Sequence, residues 1–165
     1  MEAANQVPGG ADALEKQVQW LVDRAEITDL IYTLARCIDT KDWTGYAQQF
    51  TADAALVMPW EGEGAGVVGN ENMARFASDA LSRFHQTHHM MTNPQIAIDG
   101  VVAKSTHYLH SAHVRSAEDP QDHWDVGGWY HCEYTRTPDG WKFTRVALEL
   151  VWLSGGAGDL DGDSW

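Results

Sequence analysis

Residues 84–116, FHQTHHMMTNPQIAIDGVVAKSTHYLHSAHVRS, contain the change of periodicity that decides the fold. Before this stretch apolar residues recur at helical spacing, whereas within it they alternate every second residue, as in β-strands. Asp99 and Gly100 separate two strand-like runs, His89–Ile98 and Val101–Ser116, and an Asp-Gly pair in that setting is typical of a hairpin. The stretch therefore predicts two antiparallel strands.

The segments on either side extend this pattern into a complete domain. Apolar spacing predicts one or two helices from Ala13 to about Thr40. The remaining predicted elements are a short helix at 43–50 capped by Asp42 or Thr44, strands at 54–58, 67–68, 125–136 and 141–152, and a helix from Asn70 to about Phe84. Helices that come first and long antiparallel strands that come last are typical of an α+β domain, with the helices on one face of a curved sheet.

Length and composition predict one domain with short flexible ends. A chain of 165 residues can bury a core of its own without disulfide bonds. Residues 1–12 are rich in Gly and Pro and are expected to form a flexible lead, whereas residues 13–153 form the domain. Residues 154–165, rich in Gly and Asp, are expected to form a flexible tail.

The charge balance excludes two classes of partner. The chain carries 24 acidic and 11 basic side chains, a formal net charge of −13, which repels nucleic acid and anionic membrane surfaces. No apolar run approaches the roughly 20 residues of a membrane span, and the N-terminus does not resemble a signal peptide. Cys37 and Cys132 lack metal-binding spacing and are expected to be reduced, which favours a cytoplasmic protein.

Asp39 is the first candidate for chemistry. It closes an otherwise apolar helical stripe that includes Tyr32 and Ala35, at the i, i+3, i+7 spacing of a single face. A solvent-exposed residue at a helix end is the ordinary alternative. If Asp39 points inward, however, it needs a partner, because an unpaired buried charge is very costly.

His89 is the expected partner of Asp39. Three histidines, His85, His88 and His89, lie within five residues, but neighbouring positions on a strand point to opposite faces. His89 is interpreted as the inward residue, with His88 outward and His85 at the end of the preceding helix. A carboxylate hydrogen-bonded to an imidazole stabilises its protonated form and makes it a stronger base.

A metal site is not expected. Alternation places His107 and His113 on one face of their strand and His110 on the other, and no His-Glu-x-x-His motif occurs. Phosphate-binding and dinucleotide-binding motifs are also missing from the sequence, so no cofactor is expected.

The more apolar face of the Val101–Ser116 strand is expected to point inward, carrying Tyr108 and His110 into the interior. His110 and Tyr32 then become candidate donors beside the Asp39–His89 pair, although a core histidine and a structural tyrosine are the commoner outcomes. The candidate pocket walls, each of which could equally be plain core, are Trp43, Met58, Trp60, Met73, Met91, Tyr108 and Trp129.

Three segments together resemble the SnoaL-like branch of the nuclear transport factor 2-like superfamily. They are DRAEITDLIYTLARCIDTKDW, THHMMTNPQIAIDG and GGWYHCEYTRTPDGWKF, and the resemblance covers about residues 14–152. The most similar characterised branch is that of hexachlorocyclohexane dehydrochlorinase, bile acid 7α-dehydratase and scytalone dehydratase. The resemblance implies a cone-shaped α+β barrel with a deep apolar pocket.

The resemblance also implies a catalytic dyad, whose aspartate matches Asp39 and whose histidine matches His89. In the dehydrochlorinase and the bile acid dehydratase, a lysine or tyrosine lies about five residues before the aspartate. That position is Leu34 here, which has no proton to donate. Tyr32 or His110 is therefore expected to assist the leaving group or the developing oxyanion, or else the substrate differs.

The predicted function is that of a cofactor-independent lyase of the dehydratase type, or an isomerase, acting on a hydrophobic cyclic molecule such as a polyketide, steroid or terpenoid. The alternatives are a non-catalytic small-molecule binding module and the structural small subunit of an aromatic-ring dioxygenase, because one fold serves many functions. The expected assembly is a homo-oligomer, a dimer or trimer.

Overall fold

The computed structural model describes residues 10–59 and 66–155, which form helices followed by one sheet. The elements in chain order are α1 (Gly10–Asp39), α2 (Trp43–Gln48), β1 (Phe50–Val57), β2 (Val67–Val68), α3 (Asn70–Leu81), β3 (Gln86–Asp99), β4 (Val102–Val114), β5 (His123–Thr137) and β6 (Gly140–Ser154). The predicted flexible lead and tail fall mostly outside these residues. α1 begins three residues before the predicted domain boundary at Ala13.

The strands form a single mixed sheet in the order β2-β1-β6-β5-β4-β3. β1 runs parallel to β6, and every other neighbouring pair is antiparallel. The α+β class and the curved, mainly antiparallel sheet are confirmed, and within the described residues the sheet stays open between β2 and β3. The long β3–β6 meander follows the hairpin signals of the sequence, with Gly100 at φ +60° in the first turn.

α1 is one uninterrupted helix, which decides between the one or two helices that the sequence left open. Its buried stripe is centred on Ile27, Ile31 and Ile38, which pack against the inner face of the sheet. The helix ends at Asp39, and the chain then enters α2. The Asp42 side chain, one of the two predicted caps, accepts a hydrogen bond from a backbone N–H in the first turn of α2.

The β3–β4 register decides which side chains enter the interior. Residues directly opposite one another in antiparallel strands share a face of the sheet. His89 lies opposite Ser111, and Met91 lies opposite Leu109, so this set points inward. His110 lies opposite Met90, the outward neighbour of His89, and therefore points outward.

The prediction that the apolar face of β4 points inward is therefore wrong. The inner face carries Ser105, His107 and Ser111, all buried, whereas Tyr108 is exposed on the outer face. Buried polar groups are tolerated where they find partners, and Ser105 does so through a 2.6 Å hydrogen bond to the Tyr134 hydroxyl. Cross-strand register outweighs the small difference in hydrophobicity between the two faces.

Within the described residues, no helix is long and apolar enough to cross a membrane. Cys37 and Cys132 are both buried free thiols.

Gly128→Ala should destabilise the fold by about 1–3 kcal/mol, the usual cost of forcing extra atoms into a packed site. A Cβ atom at Gly128 would lie 2.3 Å from the backbone carbonyl oxygen of Glu149, so β5 and β6 would have to separate. Urea denaturation followed by circular dichroism measures the loss in the free energy of unfolding.

Gly127→Ala is the matched control for this substitution. Its Cβ would meet the indole ring of Trp152 at 2.1 Å, but that side chain is 43% exposed and can swing away from the sheet. The control should therefore cost less than Gly128→Ala. Equal losses would contradict the assignment of the cost to the backbone contact.

Candidate active site

The carboxylate of Asp39, the last residue of α1, receives three hydrogen bonds from β3. Its Oδ1 atom lies 2.7 Å from Nδ1 of His89, and the Thr87 hydroxyl donates to the same oxygen at 2.9 Å. The backbone N–H of His89 donates to Oδ2 at 2.8 Å. The His89 side chain is only 5% exposed, so the structure brings the two sequence-predicted residues together in the interior.

The contacts of Asp39 keep it ionised. Burial alone would raise its pKa, but the hydrogen bonds from the His89 side chain and backbone, together with the one from Thr87, outweigh burial and lower the pKa below its usual 3.8. An ionised carboxylate only accepts hydrogen bonds, so Nδ1 of His89 carries a proton in this pair. Nε2 of the neutral ring is then left with a lone pair that can accept a proton.

His89 faces a cavity of about 640 Å³ between the helices and the inner face of the sheet. Residues from α1, α2, α3 and five strands line it, and most are apolar. The apolar lining residues are Ile38, Leu56, Met58, Phe76, Ala77, Ala80, Leu81, Leu109, Trp124, Val126, Leu148, Leu150 and Leu153. Leu150 and Leu153 are more than a third exposed, which places them where the cavity meets solvent.

The polar part of the lining consists of uncharged groups beside His89. They are Tyr46, Ser111, His113 and Tyr130. No Lys, Arg, Asp or Glu side chain lies among the described residues that line the cavity. Such a surface favours a neutral, largely apolar ligand that makes a few directed hydrogen bonds.

His113 lines the cavity, although its face of the strand was expected to point to solvent. Its Nδ1 atom lies 3.1 Å from the backbone carbonyl oxygen of Trp124, and its ring meets that of His89 edge to face with centroids 5.4 Å apart. A carbonyl can only accept, so Nδ1 carries the proton and Nε2 is an acceptor. Burial, followed by the neighbouring His89, lowers the pKa of His113 to about 4, so the ring is neutral at pH 7.

The two predicted accessory donors do not line the cavity. Tyr32 follows Ile31 on α1, is rotated about 100° from it, and is 49% exposed. His110 lies on the outer face of the sheet, where its ring contacts Trp152 with centroids 5.4 Å apart. Neither side chain can reach a molecule bound beside His89.

Among the predicted pocket walls, Met58 lines the cavity. Met73 and Met91 are buried in the core behind the lining, and Trp43 packs against that core. The remaining three fall elsewhere. Tyr108 and Trp129 pack together on the outer face with ring centroids 4.0 Å apart, and Trp60 lies outside the described residues.

No group of three or more His, Cys, Asp or Glu side chains in the described part of the chain is arranged to hold a metal ion.

Comparison with known proteins gives the family. Residues 19–147 match the model of the SnoaL-like domain. An uncharacterized protein of Mycobacterium tuberculosis, Rv2910c, is 31% identical over 124 residues, which cover 74% of this chain and 82% of that protein.

Two solved structures place the fold in a wider context. The Kfla4162 protein from Kribbella flavida is 26% identical, with a TM-score of 0.74 over 81% of this chain and 93% of its own. Hexachlorocyclohexane dehydrochlorinase LinA-type3 from Novosphingobium barchaimii is 18% identical, with a TM-score of 0.72 over 86% and 95% of the two chains. The curved sheet, the matched family model and these likenesses agree: this chain belongs to the SnoaL-like domain family and has the nuclear transport factor 2-like fold.

Proposed function

We propose that the protein is a cofactor-independent lyase or isomerase in which His89, held by Asp39, removes a proton from carbon. The observation that carries this proposal is the 2.7 Å contact between Asp39 and His89 at the wall of an apolar cavity. A structure of the same fold is named as a hexachlorocyclohexane dehydrochlorinase, and a loss of hydrogen chloride, like the step proposed here, takes a proton from carbon.

The chemistry follows from the state of the pair. Neutral His89 accepts a proton at Nε2, and the fixed Asp39 carboxylate stabilises the positive charge that develops on the ring. The three hydrogen bonds to Asp39 hold the carboxylate in place before the reaction, so no reorganisation is needed as charge forms. Loss of a hydroxyl from the neighbouring carbon gives a dehydration, and return of the proton to another carbon gives an isomerisation.

The substrate class follows from the cavity. Its volume of about 640 Å³ lies within the usual range of about 300–1,000 Å³ for ligand pockets, enough for a molecule of two or more fused rings. Uncharged walls disfavour a carboxylate or phosphate, because burying an unpaired charge is costly. Hydrophobic cyclic molecules such as polyketides, steroids and terpenoids fit these requirements.

The test uses a simple ketone in place of the substrate and measures the exchange of protons bound to carbon. β-Tetralone is a neutral bicyclic ketone. The protons next to its carbonyl are replaced by deuterium from the solvent when a base removes them. Protein in heavy water should accelerate this exchange, as followed by proton NMR. Failure to accelerate exchange in β-tetralone and a panel of related cyclic ketones would count against the proposed function.

A non-catalytic binding module remains the rival, because an Asp–His pair can persist as a structural hydrogen bond. A carrier should bind neutral bicyclic molecules without accelerating exchange. A structural dioxygenase subunit, the other alternative, should require a large catalytic subunit for a stable assembly. The two free buried cysteines fit a reducing, cytoplasmic setting.

A homo-oligomer is part of the same proposal, with the outer face of the sheet as the contact. Met90, Tyr108 and Trp152 form an exposed apolar cluster there, extended by His110 and Trp129. Exposed apolar patches of this kind commonly mark protein contacts.

Tyr108→Lys should convert the assembly to monomers, because two copies of the new charge would meet across a symmetric contact. Size-exclusion chromatography with light scattering measures the mass. Val101→Lys, at an exposed valine in the β3–β4 turn, is the control and should leave the mass unchanged. An unchanged mass in Tyr108→Lys would remove this face from the interface.

A further inference from the structure

Two tyrosines of the cavity wall have hydroxyl groups without a hydrogen-bond partner in the described part of the chain. Tyr46 lies on α2 and is only 4% exposed, whereas Tyr130 lies on β5 and is partly buried. Both line the cavity that contains His89. Neither hydroxyl makes a hydrogen bond to any other group within residues 10–59 and 66–155.

The two phenol oxygens open onto the cavity and are not sealed in the core. Among the described residues, some side-chain polar atoms are fully enclosed and have no hydrogen-bond partner. Neither phenol oxygen is one of them. An unpartnered hydroxyl that is not enclosed borders open space, and the open space that both tyrosine side chains line is the cavity. Buried polar groups are normally paired, so two such groups at one cavity require a ligand or solvent to complete them.

The rings themselves are held in place. Tyr46 packs against Phe50 with ring centroids 4.9 Å apart and meets Trp43 edge to face at 6.4 Å. The Tyr130 ring packs against His107 at 5.7 Å. Donors fixed by packing lose little freedom when a ligand binds, which is the condition for an efficient binding site.

Both hydroxyls stay protonated and can therefore only act as neutral donors or acceptors. Burial raises the pKa of Tyr46 well above its ordinary value, and the nearby Tyr130 raises it further. Burial also raises the pKa of Tyr130. The effect of one phenol on the other shows that they share the same region of the cavity.

We propose that Tyr46 and Tyr130 together bind the carbonyl oxygen of a neutral ketone or enone substrate, whose neighbouring C–H bond faces His89. This inference rests on the proposed function and names its substrate class and electrophilic groups. The pair supplies the donor function that neither Leu34, at the corresponding family position, nor the exposed Tyr32 provides.

The reaction balances with these groups alone. His89 Nε2 takes the proton as the C–H bond breaks, and the electron pair of that bond moves through carbon to the carbonyl oxygen, giving an enolate. The two phenol O–H groups donate to that oxygen, where the negative charge accumulates. The enolate then collapses in one of two ways. In an isomerisation, another carbon takes the proton back from His89. In a dehydration, the β-carbon expels its hydroxyl, which leaves as water with the proton from His89.

The test compares β-tetralone with tetralin, which has the same two rings without the carbonyl. Wild-type protein should bind the ketone more tightly, and a carbon-13 label at the carbonyl should shift downfield on binding, as hydrogen bonding deshields that carbon. Tyr46→Phe and Tyr130→Phe should each weaken ketone binding about threefold to tenfold, the usual value of one net hydrogen bond. Tetralin affinity should stay unchanged in both variants.

Proton exchange gives a second readout. Each phenol substitution should lower kcat for exchange about 10²-fold, the order expected when one donor to a developing oxyanion is removed. The effect on KM should be much smaller. Tyr32→Phe, the same change at an exposed tyrosine, is the matched control and should alter neither binding nor exchange.

Two results would overturn the proposal. One is a wild-type protein that does not prefer the ketone to tetralin. The other is a double Tyr46→Phe/Tyr130→Phe variant that keeps the wild-type preference and carbonyl shift. His89→Ala separates this inference from the proposed function, because it should slow exchange by at least about 10²–10⁴-fold and yet retain the preference for the ketone.

Discussion

Asp39→Asn and His89→Ala should each reduce proton exchange in β-tetralone by at least about 10²–10⁴-fold, the usual contribution of a positioned general base. The reason differs between the two variants. His89→Ala removes the acceptor itself. Asp39→Asn keeps the size of the side chain, but its amide can donate to Nδ1. The ring proton then moves to Nε2 and blocks the atom that is proposed to accept the substrate proton.

The double variant is the sharper measurement. Asp39 acts only through His89, so Asp39→Asn/His89→Ala should be no slower than His89→Ala alone. Independent contributions would instead multiply. Thr87→Val, which removes one of the three hydrogen bonds to Asp39, should give a smaller loss than Asp39→Asn.

Controls come from the neighbouring positions. His88→Ala changes the exposed residue beside His89, and Asp29→Asn changes an exposed aspartate on α1. Both should keep the wild-type rate of exchange. A wild-type rate in Asp39→Asn, or an equal loss in His88→Ala, would remove the pair from the mechanism. Far-ultraviolet circular dichroism should show that every variant remains folded.

The Asp39–His89 pair could be predicted from sequence because two independent physical constraints agree on it. A carboxylate at the end of an apolar helical stripe needs a partner, and strand alternation permits only one of the adjacent His88 and His89 to face inward. The fold could be predicted for a similar reason. The change from helical to strand periodicity after Phe84 is long and is followed by unambiguous turn residues.

The accessory groups could not be predicted because they depend on cross-strand register and on partners distant in sequence. Ser105 and His113 make the inner face of β4 look polar, and only the structure shows that Tyr134 and the Trp124 carbonyl satisfy them. Counting across the hairpin from its Asp99-Gly100 turn would have paired His89 with Ala112 and turned the wrong face of β4 inward. The register shifts by one residue between Thr92 and Gln95, and such a bulge could not be read from the sequence. Tyr46, on the six-residue helix α2, had no periodicity from which its direction could be read.

The free energy of unfolding should fall steeply between about pH 6.5 and about pH 4 because two histidines are buried in neutral form. His107 is 1% exposed and His113 is 3% exposed. Burial lowers the pKa of each to about 4, aided by His131 beside His107 and by His89 beside His113. The unfolded chain titrates at the ordinary value of about 6.5.

The sign follows from proton binding. Between the two pKa values the unfolded state binds a proton at each histidine and the folded state does not, so acid favours unfolding. A shift of this size corresponds to about 3 kcal/mol for each histidine. Together they approach the total of about 5–15 kcal/mol that stabilises an ordinary domain, so the protein should unfold in mild acid.

The carboxylates act in a different window. Burial would raise the pKa of Asp23, but hydrogen bonds from Arg136 and Gln19 outweigh it and lower the pKa; the pKa of Asp39 is also lowered. Stability from these groups is present above the unfolded value of about 3.8 and is lost only as the pH falls through the lower folded values. Loss of stability that begins near pH 6 therefore comes from histidine and not from these aspartates.

Urea denaturation at a series of pH values measures the effect. His107→Gln and His113→Gln should each lower the free energy of unfolding at neutral pH, because both rings are packed. Each should also reduce, by the equivalent of one proton, the slope of that free energy against pH in acid. His88→Gln, at an exposed position, should leave the slope unchanged. A free energy of unfolding that stays constant down to pH 4.5 would show that the buried rings accept protons without cost. In that case His113 would also become a cation beside His89, and the cavity would no longer have the uncharged wall on which a neutral substrate depends.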